Sequence, residues 1–222
     1  MNNYWKKYNE NLTTLVDKIN KHNIENKFNY IEKNPYNHIR DLQSLILIFL
    51  LLGRKSIKVL DYGSNPVCWT NMRNKFDTSN LDISIYDPFF SKEKYPFDLN
   101  LKMNTYKSLD ELKNFVFDIT FFASVSQYIK NFFSEIEKNE FVLSEYVYFS
   151  HTPFSLESTF ETYQNTDFKG LQTVRSYDQI LKFMEKHNYQ LIFQSDLGGD
   201  LASVEKINEI KTIYANLLFK RN

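Results

Sequence analysis

The stretch Ile57-Lys58-Val59-Leu60-Asp61-Tyr62-Gly63-Ser64-Asn65-Pro66 decides the fold. A short apolar, β-branched run ends in an acid and passes at once into small, turn-forming residues. That pattern reads as a buried strand turning into a helix. Such a turn lets a ligand approach the backbone closely. The helix after it offers free N–H groups to a carboxylate. An ordinary strand-to-helix turn is the plainer alternative.

Working outward, the same alternation repeats. Strands are expected at 57–61, 83–87 (entered through Leu81-Asp82), 103–106, 118–122, 141–149, 189–194 and 212–220. Helices are expected at 69–76, from Ser108 onward with Glu111 three residues on, at 131–138, and at 176–187 with Ser176 as its cap. Strands alternating with helices imply an α/β fold with a mostly parallel sheet and helices on both faces.

Upstream, residues 1–34 carry Trp5, Tyr8, Leu12, Leu15, Val16 and Ile19 at three- and four-residue steps, an amphipathic helical pattern. Asn34-Pro35 ends it. A second helix, 36–52, becomes apolar all round and stops at Gly53. Residues 150–174 show no period and read as an active-site loop or cap insertion. The expected organisation is therefore one domain, 1–222, with N-terminal helices over 1–53 and an α/β core over 54–222.

Composition narrows the functional classes. Twenty-seven basic residues balance 27 acidic ones, and without a basic stripe a nucleic-acid partner is not expected. The single cysteine, Cys68, excludes an intrachain disulfide and a cysteine zinc cluster. No His/Asp/Glu spacing suggests a metal site. The longest apolar run, 45–52, is too short to span a bilayer. Residues 1–7 are polar and show no signal-peptide pattern, so the cytoplasm is the expected location.

In sheets of this kind ligands sit at the carboxyl ends of the strands, near the switch in strand order. Asp87, at the tip of the second strand, is placed to accept ribose hydroxyls; a surface or helix-capping carboxylate is the alternative. Pro88, Phe89 and Phe90 follow it and either flank an adenine ring or pack in the core. Of the four histidines, His151, after the fifth strand, is the best-placed general base; the alternative is a histidine hydrogen-bonded within its loop. Tyr4, Trp5 and Tyr8 form either a lid or a packing face. Arg175 binds an anionic acceptor or pairs at the surface.

The runs KVLDYGSNP, SIYDPF and DITFFASVSQYI resemble motifs of class I S-adenosylmethionine-dependent methyltransferases. In particular they resemble a methyltransferase family of bacterial surface-polysaccharide (capsule and O-antigen) gene clusters. That family has a strand ending in Asp-Phe-Gly-Gly-Gly, then Ser-x-x-Gln-Tyr-Ile, then Thr-Pro-Phe. Here these appear as Asp61-Tyr62-Gly63-Ser64-Asn65, as Ser124-Val125-Ser126-Gln127-Tyr128-Ile129 and as Thr152-Pro153-Phe154. Ser64 and Asn65 depart from the glycines of the pattern.

The resemblance implies a Rossmann-like seven-stranded methyltransferase sheet, its last strand antiparallel, and S-adenosyl-L-methionine as cofactor. It implies that Gly63, Ser64 and Asn65, with Asp61 before them, line the methionine portion. Asp87 would lie at the ribose, and Ser124, Gln127 and Tyr128 would close the methionine side and face the acceptor. It further implies a small-molecule acceptor, a sugar or nucleotide-activated sugar hydroxyl. Two other readings stand beside it: a non-catalytic methyltransferase-like scaffold, and a nicotinamide-dependent Rossmann-like enzyme. The Ser64-Asn65-Pro66 turn suits a pyrophosphate poorly.

Overall fold

The computed structural model describes residues 53, 56–63, 69, 79–88, 103–163, 171–196 and 210–222. The expected helices over 1–34 and 36–52 lie outside these residues, as does nearly all of the helix expected at 69–76.

Nine strands are described: β1 (Ile57–Tyr62), β2 (Leu81–Tyr86), β3 (Met103–Tyr106), β4 (Ile119–Ala123), β5 (Tyr146–Ser155), β6 (Phe160–Tyr163), β7 (Leu171–Ser176), β8 (Tyr189–Asp196) and β9 (Thr212–Arg221). Two α-helices, α1 (Phe132–Lys138) and α2 (Tyr177–Lys186), accompany them. Strands β3, β2, β1, β4 and β5 are parallel neighbours in that order. Strand β9 runs antiparallel beside β5, and β8 runs antiparallel beside β9. Seven strands thus form the expected sheet. Its order reverses between β1 and β4, which opens a crevice at their carboxyl ends.

Central strands covered on both faces read as continuous apolar runs. Accordingly, five of the six β1 residues are buried, as are the first four of β4. The aromatic richness of the chain is spent here. Phe121 faces Tyr148 and Phe122 faces Phe149 across β4 and β5. Each pair stacks, with centroids 5.4 and 5.2 Å apart, one pair on each face of the sheet. The Phe122 face packs on Phe132 and Ile136 of α1 and on Phe183 and Met184 of α2. The Phe121 face packs on Trp69, Ile83 and Leu218.

Several boundaries differ from the sequence reading. Asp118 lies ahead of β4, where its carboxylate accepts the Lys58 N–H at 2.7 Å and ties β4 to β1. Residues 140–142 form a 3-10 turn rather than the start of β5, since the Thr120 hydroxyl donates to the Val142 carbonyl. After Ser108 there is a single 3-10 turn, Leu109–Leu112, with the expected capping pair: Glu111 Oε1 takes the Ser108 N–H at 3.0 Å. Ser176 precedes α2 but makes no side-chain cap. Its own N–H donates to the Thr159 hydroxyl, which donates to the Gln179 side-chain oxygen.

The largest difference is in 150–174, which contains strand. Strand β5 has ten residues against five in β4. Past the end of β4 its exposed edge needs new hydrogen-bond partners. Strand β7 supplies them, pairing in parallel at Phe154 and Ser155, and β6 folds back antiparallel on β7. The insertion is a hairpin docked on the tail of β5.

Candidate active site at the carboxyl edge of the sheet

Gly63 leaves β1 at φ +82, and its N–H donates to the Tyr86 carbonyl at 2.7 Å. The tips of β1 and β2 are thereby joined, and Asp87 follows Tyr86 directly. A Cβ on residue 63 would lie 2.2 Å from Val125 Cγ2. Both the positive φ and this close approach require glycine. Asp87 is 7% exposed, and its N–H donates to the Tyr106 carbonyl at 3.1 Å. Pro88 is half-buried beside it. Ser64 and Asn65, and Tyr4, Trp5 and Tyr8, lie outside the described residues.

Asp61 points into the fold. It is fully buried, and its Oδ2 accepts the indole N–H of Trp69 at 2.5 Å. The bond ties Trp69 to the end of β1. A tryptophan eight residues after a strand-ending acid is the signal that marks this pair.

Beside this, β4 is followed by Ser124, which holds φ 51. Its N–H donates to the Ser150 carbonyl and its hydroxyl to the His151 carbonyl, both at 2.9 Å. Gln127 Nε2 donates to the same hydroxyl at 3.3 Å. Gln127 is 3% exposed, and its buried Oε1 accepts no hydrogen bond from the described residues. A buried acceptor left open is a vacancy for a donor. Residues 126–128 form a 3-10 turn ahead of α1, with Tyr128 half-buried.

His151 sits in a bulge. Phe149 pairs with Leu217 and Thr152 with Ala215, so Ser150 and His151 together oppose Asn216. His151 has φ 47 and is half-buried. Its N–H donates to Asn216 Oδ1 at 2.8 Å, and its ring stacks on Tyr214 at 4.9 Å. Asn216, 1% exposed, also donates to the Ser195 hydroxyl at 3.1 Å. The sequence reading missed Asn216, although an amide set between Ala215 and the apolar run Leu217-Leu218-Phe219 was a visible sign of a buried polar contact.

Arg175 is neither a surface ion-pair residue nor displayed to an anion. It is 4% exposed. Its guanidinium donates to the Ser126 carbonyl at 2.6 Å, to the Ile129 carbonyl and, at 3.3 Å, to the Lys130 carbonyl. It lies over the Phe132 ring at 5.2 Å. Burial pulls its pKa down to about 10, which leaves it charged at neutral pH.

Two tyrosines that the sequence did not single out underlie the crevice. Tyr62 and Tyr86 meet edge to face at 4.8 Å. Burial first, then Glu135 and Asp87, push Tyr86 up to about 12. Burial, then Tyr86 and Glu135, push Tyr62 higher still. Both stay protonated.

Gly63, Asp87, Ser124, Gln127 and His151 thus share the carboxyl edge at the strand-order switch. Among solved structures, the chain is similar to Burkholderia thailandensis 1,6-didemethyltoxoflavin-N1-methyltransferase with bound S-adenosylhomocysteine. The TM-score is 0.58 at 12% identity, over 96% of this chain and 90% of that one. The fold is that of class I S-adenosylmethionine-dependent methyltransferases. Magnesium protoporphyrin IX methyltransferase from Synechocystis PCC 6803, also with S-adenosylhomocysteine, gives TM-score 0.56 at 12% identity over 94% of each chain. Coclaurine N-methyltransferase, bound to N-methylheliamine and S-adenosylhomocysteine, gives TM-score 0.58 at 11% identity over 83% of this chain and 72% of that one. No family model matches the sequence.

The methyltransferase fold can be tested against the residues present. A nucleoside with an amino-acid tail carries ribose hydroxyls and an ammonium, and both need acceptors. Asp87, 7% exposed just past β2, and the buried Gln127 Oε1 are acceptors of that kind. The residues fit the group. Among the described residues, no helix is long and apolar enough to cross a membrane.

Proposed function

We propose that this chain is an S-adenosylmethionine-dependent methyltransferase. The acceptor in this reading is a hydroxyl of a sugar or nucleotide-activated sugar used in surface-polysaccharide synthesis in the cytoplasm. The observation that carries the activity is the Gly63 N–H to Tyr86 carbonyl bond, which sets a glycine turn directly against Asp87. The likeness in fold to enzymes crystallised with S-adenosylhomocysteine supports the cofactor. The short motif resemblance supports the acceptor class.

In this reading Asp87 accepts the ribose hydroxyls, Gly63 lets the methionine portion close on the backbone, and Gln127 Oε1 accepts its ammonium. The cofactor supplies a methyl group on a sulfonium, already activated for displacement. The protein's part is alignment and proton removal. His151, held in the bulge beside Ser124, takes the acceptor's hydroxyl proton on its imidazole. Tyr62 and Tyr86 remain neutral below the crevice and add no competing base.

A second reading, a non-catalytic scaffold with this fold, has two features in its favour: Ser64 and Asn65 replace glycines, and Asp61 is engaged with Trp69. Calorimetric titration with S-adenosylhomocysteine separates the two. Micromolar binding that weakens at least tenfold in Asp87→Ala supports the enzyme. No binding by the wild type supports the scaffold.

A further inference from the structure

Arg175 belongs to the hairpin, yet three of its carbonyl partners belong to the segment after β4. Ser126 lies just before Gln127 and Tyr128, and Ile129 and Lys130 lie just after them. Every described polar partner of this guanidinium is a backbone carbonyl, the fourth being that of Thr173 at 3.5 Å. Burying a charge without a counter-charge is costly, and among the described residues these bonds and the rings of Phe132 and Phe133 offset that cost. A planar fork of five donors can hold several carbonyls in fixed relative positions, which an ammonium cannot. Arg175 also pairs with Phe154 in the sheet, so its backbone is fixed to β5 while its side chain is fixed to 126–130.

We propose that Arg175 is a positioning residue that couples the β6–β7 hairpin to the cofactor-closing segment 124–130. Occupation of the Gln127 side orders the hairpin, and by reciprocity an ordered hairpin tightens cofactor binding. This rests on the functional reading above.

The test is hydrogen exchange with and without S-adenosylhomocysteine, combined with calorimetry, on wild type, Arg175→Lys and Arg175→Met. In the wild type the ligand should protect 124–130 and also 160–163 and 171–176. In Arg175→Met affinity should fall about tenfold, ligand-induced protection of the hairpin should disappear, and protection of β1, β2 and β4 should persist. Arg175→Lys should fall between, since a point charge holds fewer carbonyls, and it carries the comparison if Arg175→Met does not fold. A variant with a lower melting temperature but wild-type affinity and wild-type hairpin protection would overturn the coupling and leave a purely structural residue. Failure of the wild type to bind overturns the functional reading and the coupling together. Binding without hairpin protection overturns the coupling alone.

Discussion

The Ser124 hydroxyl, just past the end of β4, donates to the His151 carbonyl in the bulge of the neighbouring β5 at 2.9 Å. Both residues have positive φ, 51 and 47, although neither is glycine. Conformations of this kind cost on the order of 1–3 kcal/mol each and persist where surrounding bonds fix them. Here the fixing bonds run from Gln127 through Ser124 and His151 to Asn216 and Ser195.

Asn216 closes that chain, so Asn216→Ala should leave the His151 N–H without its partner. The expected cost is about 1–3 kcal/mol in urea unfolding. Turnover should fall further than S-adenosylhomocysteine affinity, because the bulge presents His151 and not the cofactor cradle. Equal loss of both would mean that the bulge supports the whole crevice.

Replacing His151 itself by alanine should lower turnover at least about a hundredfold while cofactor affinity stays within about twofold. Unchanged turnover on an identified acceptor would remove the base assignment.

Gly63→Ala should destabilise by about 2 kcal/mol or more, combining a left-handed backbone with a clash on Val125. The double variant with Val125→Ala should recover the steric part and not the backbone part. Chemical denaturation of the three proteins measures both. Full recovery would show that the backbone conformation carries no cost.

Trp69→Phe removes the indole donor from a fully buried carboxylate. Leaving a buried acceptor without its donor costs about 1–3 kcal/mol, and a loss of that size is expected. Cofactor affinity should weaken as well, because the pair brackets the turn. A change below about 0.5 kcal/mol would mean that Asp61 finds other donors at no cost.

Alkaline pH provides a further test. Tyr86, Tyr189 and Tyr214 are pushed up to about 12, in each case chiefly by burial, from a usual 10.0. Above pH 10 the unfolded chain ionises these phenols while the folded chain still holds their protons. The folded state then binds more protons, so stability falls as pH rises from 10 through 12. Arg175, lowered to about 10, acts with the opposite sign, but it is one group against these three and Tyr62. Melting temperature should be flat from pH 7 to 9 and drop steeply above about 10. A flat profile to pH 11 would contradict it.

The sheet was legible because β1, β2, β4 and β9 are apolar runs bounded by acids, turns or charged ends. The position of Asp87 just past β2 was legible from strand boundaries alone, whereas His151, expected after the fifth strand, lies in a bulge within β5. The hairpin was not legible. Phe160-Glu161-Thr162-Tyr163 is too short for a period, and its strand state comes from pairing with β7, which in turn docks on the tail of β5. Arg175 was misread for a related reason: a cation is a surface residue unless carbonyls converge on it, and these come from a segment some fifty positions earlier. The true start of β5 was hidden because Phe141-Val142-Leu143 is as apolar as a strand yet serves as a core-packing turn.

The Trp69 indole, buried against Phe121 and bonded to the Asp61 carboxylate, is also an optical probe placed by the fold. The chain contains two tryptophans, so a Trp5→Phe background isolates its emission. Any ligand that tightens or shifts the turn between Asp61 and Trp69 alters the environment of that excited state. Loading of the crevice can therefore be timed by mixing, without a label and before any acceptor is known.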